Sequence, residues 1–495
     1  GRRAWAKWNM PAKQYRTWSP AQSFLLPPSP LEWLPSGHLA YMVLDVVNEL
    51  ELRAIEKTIE EKDARGTRPY APRMMTALLL YAYCSGTYSS RKIARGTFED
   101  VALRVLAGGE HPHFTTVNEF RLEHRKALAG LFEQVLSMCR RAGLVSLGHV
   151  SIDGSKVQAN ASKHKAMSYK RMSEDEKRLQ GEVEALLAQA DATDRKEDVQ
   201  YGVGVDPQDL PQELQRREDR LARIREAKAA LEQEAAQTRA AALEKQAAMH
   251  RQRAATDPDP TVRKCAETLA AARTEQAKAL RDDDEDPPAA ASSDGLPLHR
   301  VPTTPRGAPK DKAQRNFTDP DSRIMQRNGV FMQAFNCQIA VEHSHQIIVA
   351  EAVSNQAPDV EYLAPVLART VETVGAPDVV SADAGYYSDA NVAMCRKAGV
   401  EPLLAVGRSG HRHRENETPS KTGFGSQTKA AMRESLLADR GRDLYKRRKA
   451  IVEPPFAHIK SVRGFNRFSL RGLSKVRSEW SIVCLCHNLL KLFSA

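Results

Sequence analysis

The chain has 495 residues and a formal net charge of +11, from 73 lysines and arginines against 62 acidic residues. That length allows about two to four domains with at least one sizeable core, and the positive balance favours a polyanionic partner. No apolar run is long enough to span a bilayer, which excludes a chain built on membrane-spanning helices. The cysteines (Cys84, Cys139, Cys265, Cys337, Cys395, Cys484 and Cys486) are scattered without a CxxC pair. That pattern excludes a zinc finger or a disulfide framework and predicts a reduced, intracellular protein.

The opening nine residues are basic without the apolar core of a signal peptide and are set aside. Residues 11 to 37, rich in proline and aromatics, predict an extended arm. Apolar positions from Leu39 to Leu50 recur at helical spacing, predicting a helix from His38 to about Lys62. A buried helix is predicted from Pro72 to about Cys84, and a short one from Ser89. Thr116 and Glu119 read as a capping box opening a long helix to about Ala142. Residues 11 to 145 thus form an all-helical N-terminal domain. Its segment 88 to 128 has the pattern of a helix-turn-helix able to read DNA through Arg91, Arg95, Arg121, His124 or Arg125, or else of a plain bundle with solvated cations.

The first part of an α/β core follows at 146 to 172, where Val150, Ile152 and Val157 predict a central strand carrying Asp153. From 173 to 311 the composition shifts to Ala, Glu, Gln, Lys and Arg. Leu214, Leu221, Ile224 and Leu231 fall near heptad spacing, with breaks at 206 to 211 and 257 to 260. This predicts an inserted helical hairpin or antiparallel coiled coil, serving as a spacer or as an arm for DNA or dimer contact. It closes on the acidic run from Asp282 to Asp286 and a flexible linker from 287 to 311.

The core resumes from 312 to 495. Strands are predicted at 331 to 341 and 346 to 354, a helix from Val360 to about Val374, and a buried strand ending at Asp383. A helix through Cys395, a short strand at 402 to 406, a polar stretch from 408 to 430 and a closing amphipathic helix through Leu492 complete the chain. Asp389 is expected to cap the helix after Asp383, and Asp319 and Asp321 fit a turn better than a metal site. His149, His164 and His458 read as solvated or phosphate-facing.

Between Lys446 and Arg477 stand ten cations (Lys446, Arg447, Arg448, Lys449, Lys460, Arg463, Arg467, Arg471, Lys475 and Arg477) and one acid, Glu453. A lone carboxylate among cations that attract phosphate is either a metal ligand or an ion-pair partner of Arg448 or Lys449. Pro454 and Pro455 predict that one helix ends near Val452 and another begins after a kink. The order of elements carrying Asp153, Asp383 and Glu453 is that of a ribonuclease H-like mixed sheet. Three carboxylates there suit two divalent ions, Mg²⁺ or Mn²⁺, rather than a soft metal.

The run YKRRKAIVEPPFAHIK resembles the tyrosine, arginine, glutamate and lysine signature of DDE-type insertion-sequence transposases. Four residues separate Arg448 from Glu453 where that signature has three, so either Lys449 takes the arginine's role or this branch has its own spacing. The LLPPS and WLP arm, SSRKIAR, GHVSIDGSKVQANASKHK, FTDPDSRIM, ADAGYYS and the closing EWSIVCLCHNLLKL run extend the similarity over essentially the whole chain. The resemblance implies Asp153, Asp383 and Glu453 as catalytic metal ligands. It implies DNA contacts near the scissile phosphate for Tyr445, Arg448 and Lys460, to which the basic pattern adds Lys156, Arg463, Arg467, Arg471, Arg121 and Arg125. The implied activity is cleavage at terminal inverted repeats and joining of the 3′ ends to target DNA, by a cytoplasmic, nucleoid-associated homo-oligomer. A ribonuclease H-like nuclease without strand transfer and a silent DNA-binding derivative are the rival readings.

Overall fold

The structure, a computed structural model, describes residues 29, 32–61, 68–201, 212–280, 295–327, 329–407 and 427–495. Most of the proline-rich arm, the expected break at 206 to 211, the acidic run from Asp282 to Asp286 and most of the polar stretch from 408 lie outside these residues.

Seven helices open the described residues: α1 (Leu39–Glu49), α2 (Arg53–Glu60), α3 (Pro72–Cys84), α4 (Ser90–Glu99), α5 (Val101–Leu106), α6 (Phe114–Glu123) and α7 (Arg125–Arg141). The single helix expected from His38 is broken because Leu50 and Leu52 are both buried, and residues two apart cannot share one helix face. Arg73 of α3 donates to the carbonyls of Val47, Asn48 and Leu50, closing the end of α1. The expected capping box is also displaced. His113 caps α6, Thr116 lies inside it, and the chain breaks again at His124 before α7.

The core sheet follows with β1 (His149–Gln158), β4 (Arg323–Arg327), β5 (Val330–Glu342), β6 (Ile348–Ser354), β7 (Val379–Ala382) and β8 (Glu401–Leu404). Between β1 and β4 come β2 (Ala166–Ser168), the long helices α8 (Tyr169–Tyr201), α9 (Gln212–Thr256) and α10 (Pro260–Lys278), and β3 (Gln314–Asn316). β1 pairs antiparallel with β5 and parallel with β7, and β7 pairs parallel with β8. Because Asn336 to Val341 of β5 pair with both β1 and β6, those two strands lie on opposite edges of β5. The sheet therefore reads β6-β5-β1-β7-β8 with β5 alone reversed, and β4 extends the start of β5. Helices α11 (Leu363–Val374), α12 (Asp389–Lys397), α13 (Gln427–Leu437), α14 (Asp439–Ala457) and α15 (Leu473–Ser494) complete the described chain.

α15 joins the two halves. It packs on α3 and α7 of the helical bundle and on β6 of the sheet, so bundle and sheet share one hydrophobic core with Trp480 fully buried in it. Its N-terminus follows Gly472, which has no side chain to cap with. The carboxylates of the DPDS turn do this instead: Asp319 accepts from the Gly472 amide at 3.2 Å and Asp321 from the Leu473 amide at 2.8 Å.

The insertion stands on the two-stranded ribbon β2-β3. Leu221, Ile224 and Leu231 of α9 are buried against Met172 and Leu179 of α8, as the heptad spacing predicts. A third helix, α10, then folds back on α9 after Asp259 caps its start. Residues 295 to 311 are not a loose linker, since Leu296 and Val301 are buried and the His299 amide donates to Asn355.

The two prolines do not end α14, which runs unbroken through Pro454 and Pro455. Position 454 has no N–H for the Ala450 carbonyl, and Gln346 supplies the missing donor through its side chain at 2.9 Å. Gln346 adopts a positive φ of 61° there, while its carboxamide oxygen and its carbonyl are engaged by Lys491 and His487. The helix then widens into one π-helical turn, His458–Val462.

Replacing Asp321 by alanine removes a cap from the helix that joins sheet and bundle. It should cost about 1 kcal/mol, read as a lower urea midpoint with an unchanged far-ultraviolet spectrum. An unchanged midpoint would show that Asp321 is not a cap of consequence.

Candidate functional site

The site begins with a register. Val150 lies opposite Val380 and Ser151 opposite Ser381 across the parallel β1-β7 pair. The Ser151 and Ser381 hydroxyls are 2.7 Å apart, and His149 Nε2 lies 2.8 Å from the same Ser381 oxygen, so these side chains share one face. Side chains alternate along a strand, so Asp153 and Asp383, each two residues further on, come to that face beside the carboxyl end of β7. Asp383 Oδ1 accepts the Gly385 amide at 2.8 Å, which fixes the acid at the head of a short 3₁₀ turn.

Burial pushes the Asp153 carboxyl above its usual range, while Arg448 and the Gly154 amide oppose the shift and Asp383 and Asp359 add to it. Two mutually repelling carboxylates, one largely desolvated, form an arrangement that a hard divalent cation relieves.

α14 covers this face. Arg448 Nη1 stands 3.3 Å from Asp153 Oδ2, and its guanidinium lies 5.9 Å from the centre of the Tyr445 ring. Arg448 is buried and Lys449 is exposed, so of the two Arg448 is the one that stands beside Asp153. Lys460 donates to Ser155, the next residue on the Asp153 face. It sits in the π-helical turn, a distortion that recurs at functional sites. Its ammonium is buried, and burial, with Arg327 nearby, brings its pKa down to about 8.

Glu453 behaves differently. It is exposed, whereas Val452, four residues after Arg448, is the one packed in the core. The extra residue turns Glu453 by about 100° from the Val452 position. Among the described residues no group of three or more His, Cys, Asp or Glu side chains is close enough to hold a metal ion. The structure therefore brings Asp153 and Asp383 to one face and leaves Glu453 outside a closed three-carboxylate cage.

Several expected DNA contacts are corrected. Arg121 is only 5 % exposed, and its guanidinium donates to Tyr83, Tyr88, Ser90 and Asn118 inside the bundle. His124 is buried against Phe120, and Arg125 is half-buried and donates to the Leu122 carbonyl. Burial takes Arg121 and His124 out of any groove-reading surface of a helix-turn-helix. Arg95 pairs with Glu99, while Arg91 remains exposed beside Phe114. Arg463 is buried and donates to the Val483 carbonyl. Arg467 and Arg471 stay exposed, both bonded to Asn160.

Lys156 is a further correction with a simple cause. Position 156 is odd in step from 153, so its side chain leaves on the opposite face of the sheet, where it pairs with Asp359 at 3.0 Å. Asp359 was not anticipated. It also accepts from Asn336 and Gln338, at 2.7 and 2.9 Å, and Gln338 is bonded in turn to the Tyr386 hydroxyl in the turn that follows Asp383. A Cβ on Gly154 would come within 2.2 Å of Gln338 and 3.0 Å of Asp359, so glycine after Asp153 lets this network close. Nothing in the run SNQAPD marks Asp359 in advance, because its partners lie on two other strands. The turn acids Asp319 and Asp321 cap α15, and Ser388, not Asp389, caps α12. Of the histidines, His149 is buried with its pKa lowered to about 4 by burial, His458 is half-buried, and His164 is exposed.

Lys460 yields a test. The unfolded chain keeps this proton to a pKa of 10.5 and the fold releases it at about 8. The unfolded state thus binds more protons between those values, and stability attributable to Lys460 rises with pH across that window. Lys460→Met should melt no lower than the unmodified protein at pH 7 and should lack the alkaline gain. A variant that keeps that gain would place the titration elsewhere.

A family model described as the transposase DDE domain matches residues 300–489, and one described as a transposase domain matches residues 29–123. The first spans Asp383 and Glu453, the second covers α1 to α6, and together they account for more than half of the chain. No curated protein and no solved structure matches it. With a ribonuclease H-like sheet that sets Asp153, from between the two matched regions, on the same face as Asp383, from the DDE-domain match, the chain belongs to the DDE transposases of insertion sequences.

Proposed function

We propose that the protein binds the terminal inverted repeats of its own insertion sequence, cuts DNA there and joins the freed 3′ ends to target DNA, working as a homo-oligomer that pairs two ends. The observation that carries this reading is the arrival of Asp153 and Asp383 on one face of the sheet, with Arg448 and Lys460 beside them. Asp153 and Asp383 would be oxygen donors for Mg²⁺ or Mn²⁺, and Glu453, exposed further along α14, would be the third. Two such ions would activate the attacking oxygen and stabilise the leaving one.

The chain's own residues do the rest. Arg448 holds the Asp153 carboxylate in place and offers its remaining N–H groups to a phosphate. Lys460 presents an ammonium whose charge a phosphate favours, so its pKa rises when DNA binds. Tyr445 packs against the arginine. A groove of about 730 Å³ between α4, α6 and the 467–469 segment, with Arg91, Arg467 and Glu119 in its walls, offers its two arginines to DNA phosphates.

Asp153→Asn, Asp383→Asn and Glu453→Gln should each lower nicking of the element's genomic ends in magnesium by at least on the order of a hundredfold, with DNA affinity retained. A variant that nicks at the normal rate removes its residue from the site. Pre-cut ends incubated with the protein and a target plasmid should give joined products, and hydrolysis without joining would identify a nuclease instead.

A further inference from the structure

A second positively charged cleft is lined by none of Asp153, Asp383 and Glu453. It measures about 750 Å³ and opens between the insertion helices and the β2-β3 ribbon. Lys165, Arg171, Arg220, Arg223 and Arg315 line it, and Glu226 is the one carboxylate in its described wall. Arg220 and Arg315 have carboxylate partners in Asp175 and Glu234. Lys165, Arg171 and Arg223 are exposed, and none of the ion pairs among the described residues includes them. These three like charges, facing one cleft with no described carboxylate within ion-pair distance, repel one another, and a polyanion removes that cost. Met167, Phe317 and Pro320 add an apolar surface of the kind deoxyribose can lie against.

The cleft is rigidly mounted. Tyr169 donates to Glu232 at 2.6 Å, and Glu234 grips both Arg315 and Arg323, so α9 is pinned to the ribbon and to the core strand β4. Position and length also fit. β1 carries the chain five residues from Asp153 to its end at Gln158, about 17 Å of strand, before the ribbon begins. A duplex running from Asp153 along that strand would cover it with roughly five base pairs at about 3.4 Å each.

We propose that this cleft is a second DNA site, which takes the phosphate backbone of the duplex several base pairs inside the end held at Asp153 and Asp383. The inference rests on the transposase reading for its ligand, but not on the catalytic roles of the acids.

Fluorescence anisotropy of the full-length protein in chelator tests it, with two labelled duplexes from the element's genomic end, one long and one cut back to the terminal few base pairs. Arg171→Ala with Arg223→Ala should weaken binding to the long duplex by about tenfold or more and lower the slope of log affinity against log salt by about 2. It should leave the short duplex unaffected. Arg171→Lys with Arg223→Lys should restore the slope. Arg263→Ala with Lys264→Ala, exposed on α10, removes the same charge and should change nothing. An unchanged slope on the long duplex, an equal loss on the short one, or an equal effect of the α10 pair would each overturn the proposal. Failure of the catalytic reading is separable, because it would show as normal nicking by Asp153→Asn whatever the slope does.

Discussion

The parallel pairing of β1 with β7 is the constraint from which the rest of the site follows. The two strands come from parts of the chain more than two hundred residues apart, and only three residue pairs fix their register. A slip by one residue would turn Asp153 or Asp383 to the opposite face and separate the acids. Hydroxyl and imidazole contacts among His149, Ser151 and Ser381 hold that register from within the buried sheet, directly beneath the acids. On the opposite face Lys156, Asn336 and Gln338 gather around Asp359 and brace the turn that carries Asp383.

Over the acids lies a helix whose placement works against its own stability. α14 accepts two prolines, an outside donor from a left-handed Gln346 and a π-helical turn, and it buries the cations Arg448 and Lys460. Each of these is costly in isolation. Together they place a guanidinium and an ammonium within a few ångströms of Asp153 and Ser155. Stability is recovered elsewhere, chiefly where α15 fills the space between sheet and bundle and is capped by the DPDS turn.

The insertion is joined to the core by the same kind of long-range contact. Glu234 of α9 pairs with one arginine on β3 and one on β4, so the helical arm and the sheet are held by charge as well as by the ribbon. An arm fixed in this way can present a surface to a long ligand at a defined distance from the acids, which a hinged arm could not.

Local periodicity made much of the architecture readable. The buried α3, the heptad seam of α9, the β5-β6 hairpin, the strand before Asp383 and the final helix all carry apolar spacings that report local geometry directly, and the acids Asp153 and Asp383 were visible because each follows such a pattern. The rest depended on partners distant in the chain. Arg121, Arg463 and Lys156 are indistinguishable in sequence from Arg467 and Arg471, yet packing buries the first two and strand alternation turns the third away. The prolines of α14 read as a break because their remedy, Gln346, lies about a hundred residues earlier. Asp359, Asp319 and Asp321 received their roles only from strands and helix ends brought to them by the fold. Composition and spacing thus determined the elements and the two strand-borne acids. Which charges face solvent, which are buried, and which carboxylates stand together was decided by tertiary structure, because burial and pairing are properties of neighbours in space, and neighbours in space need not be neighbours in the chain.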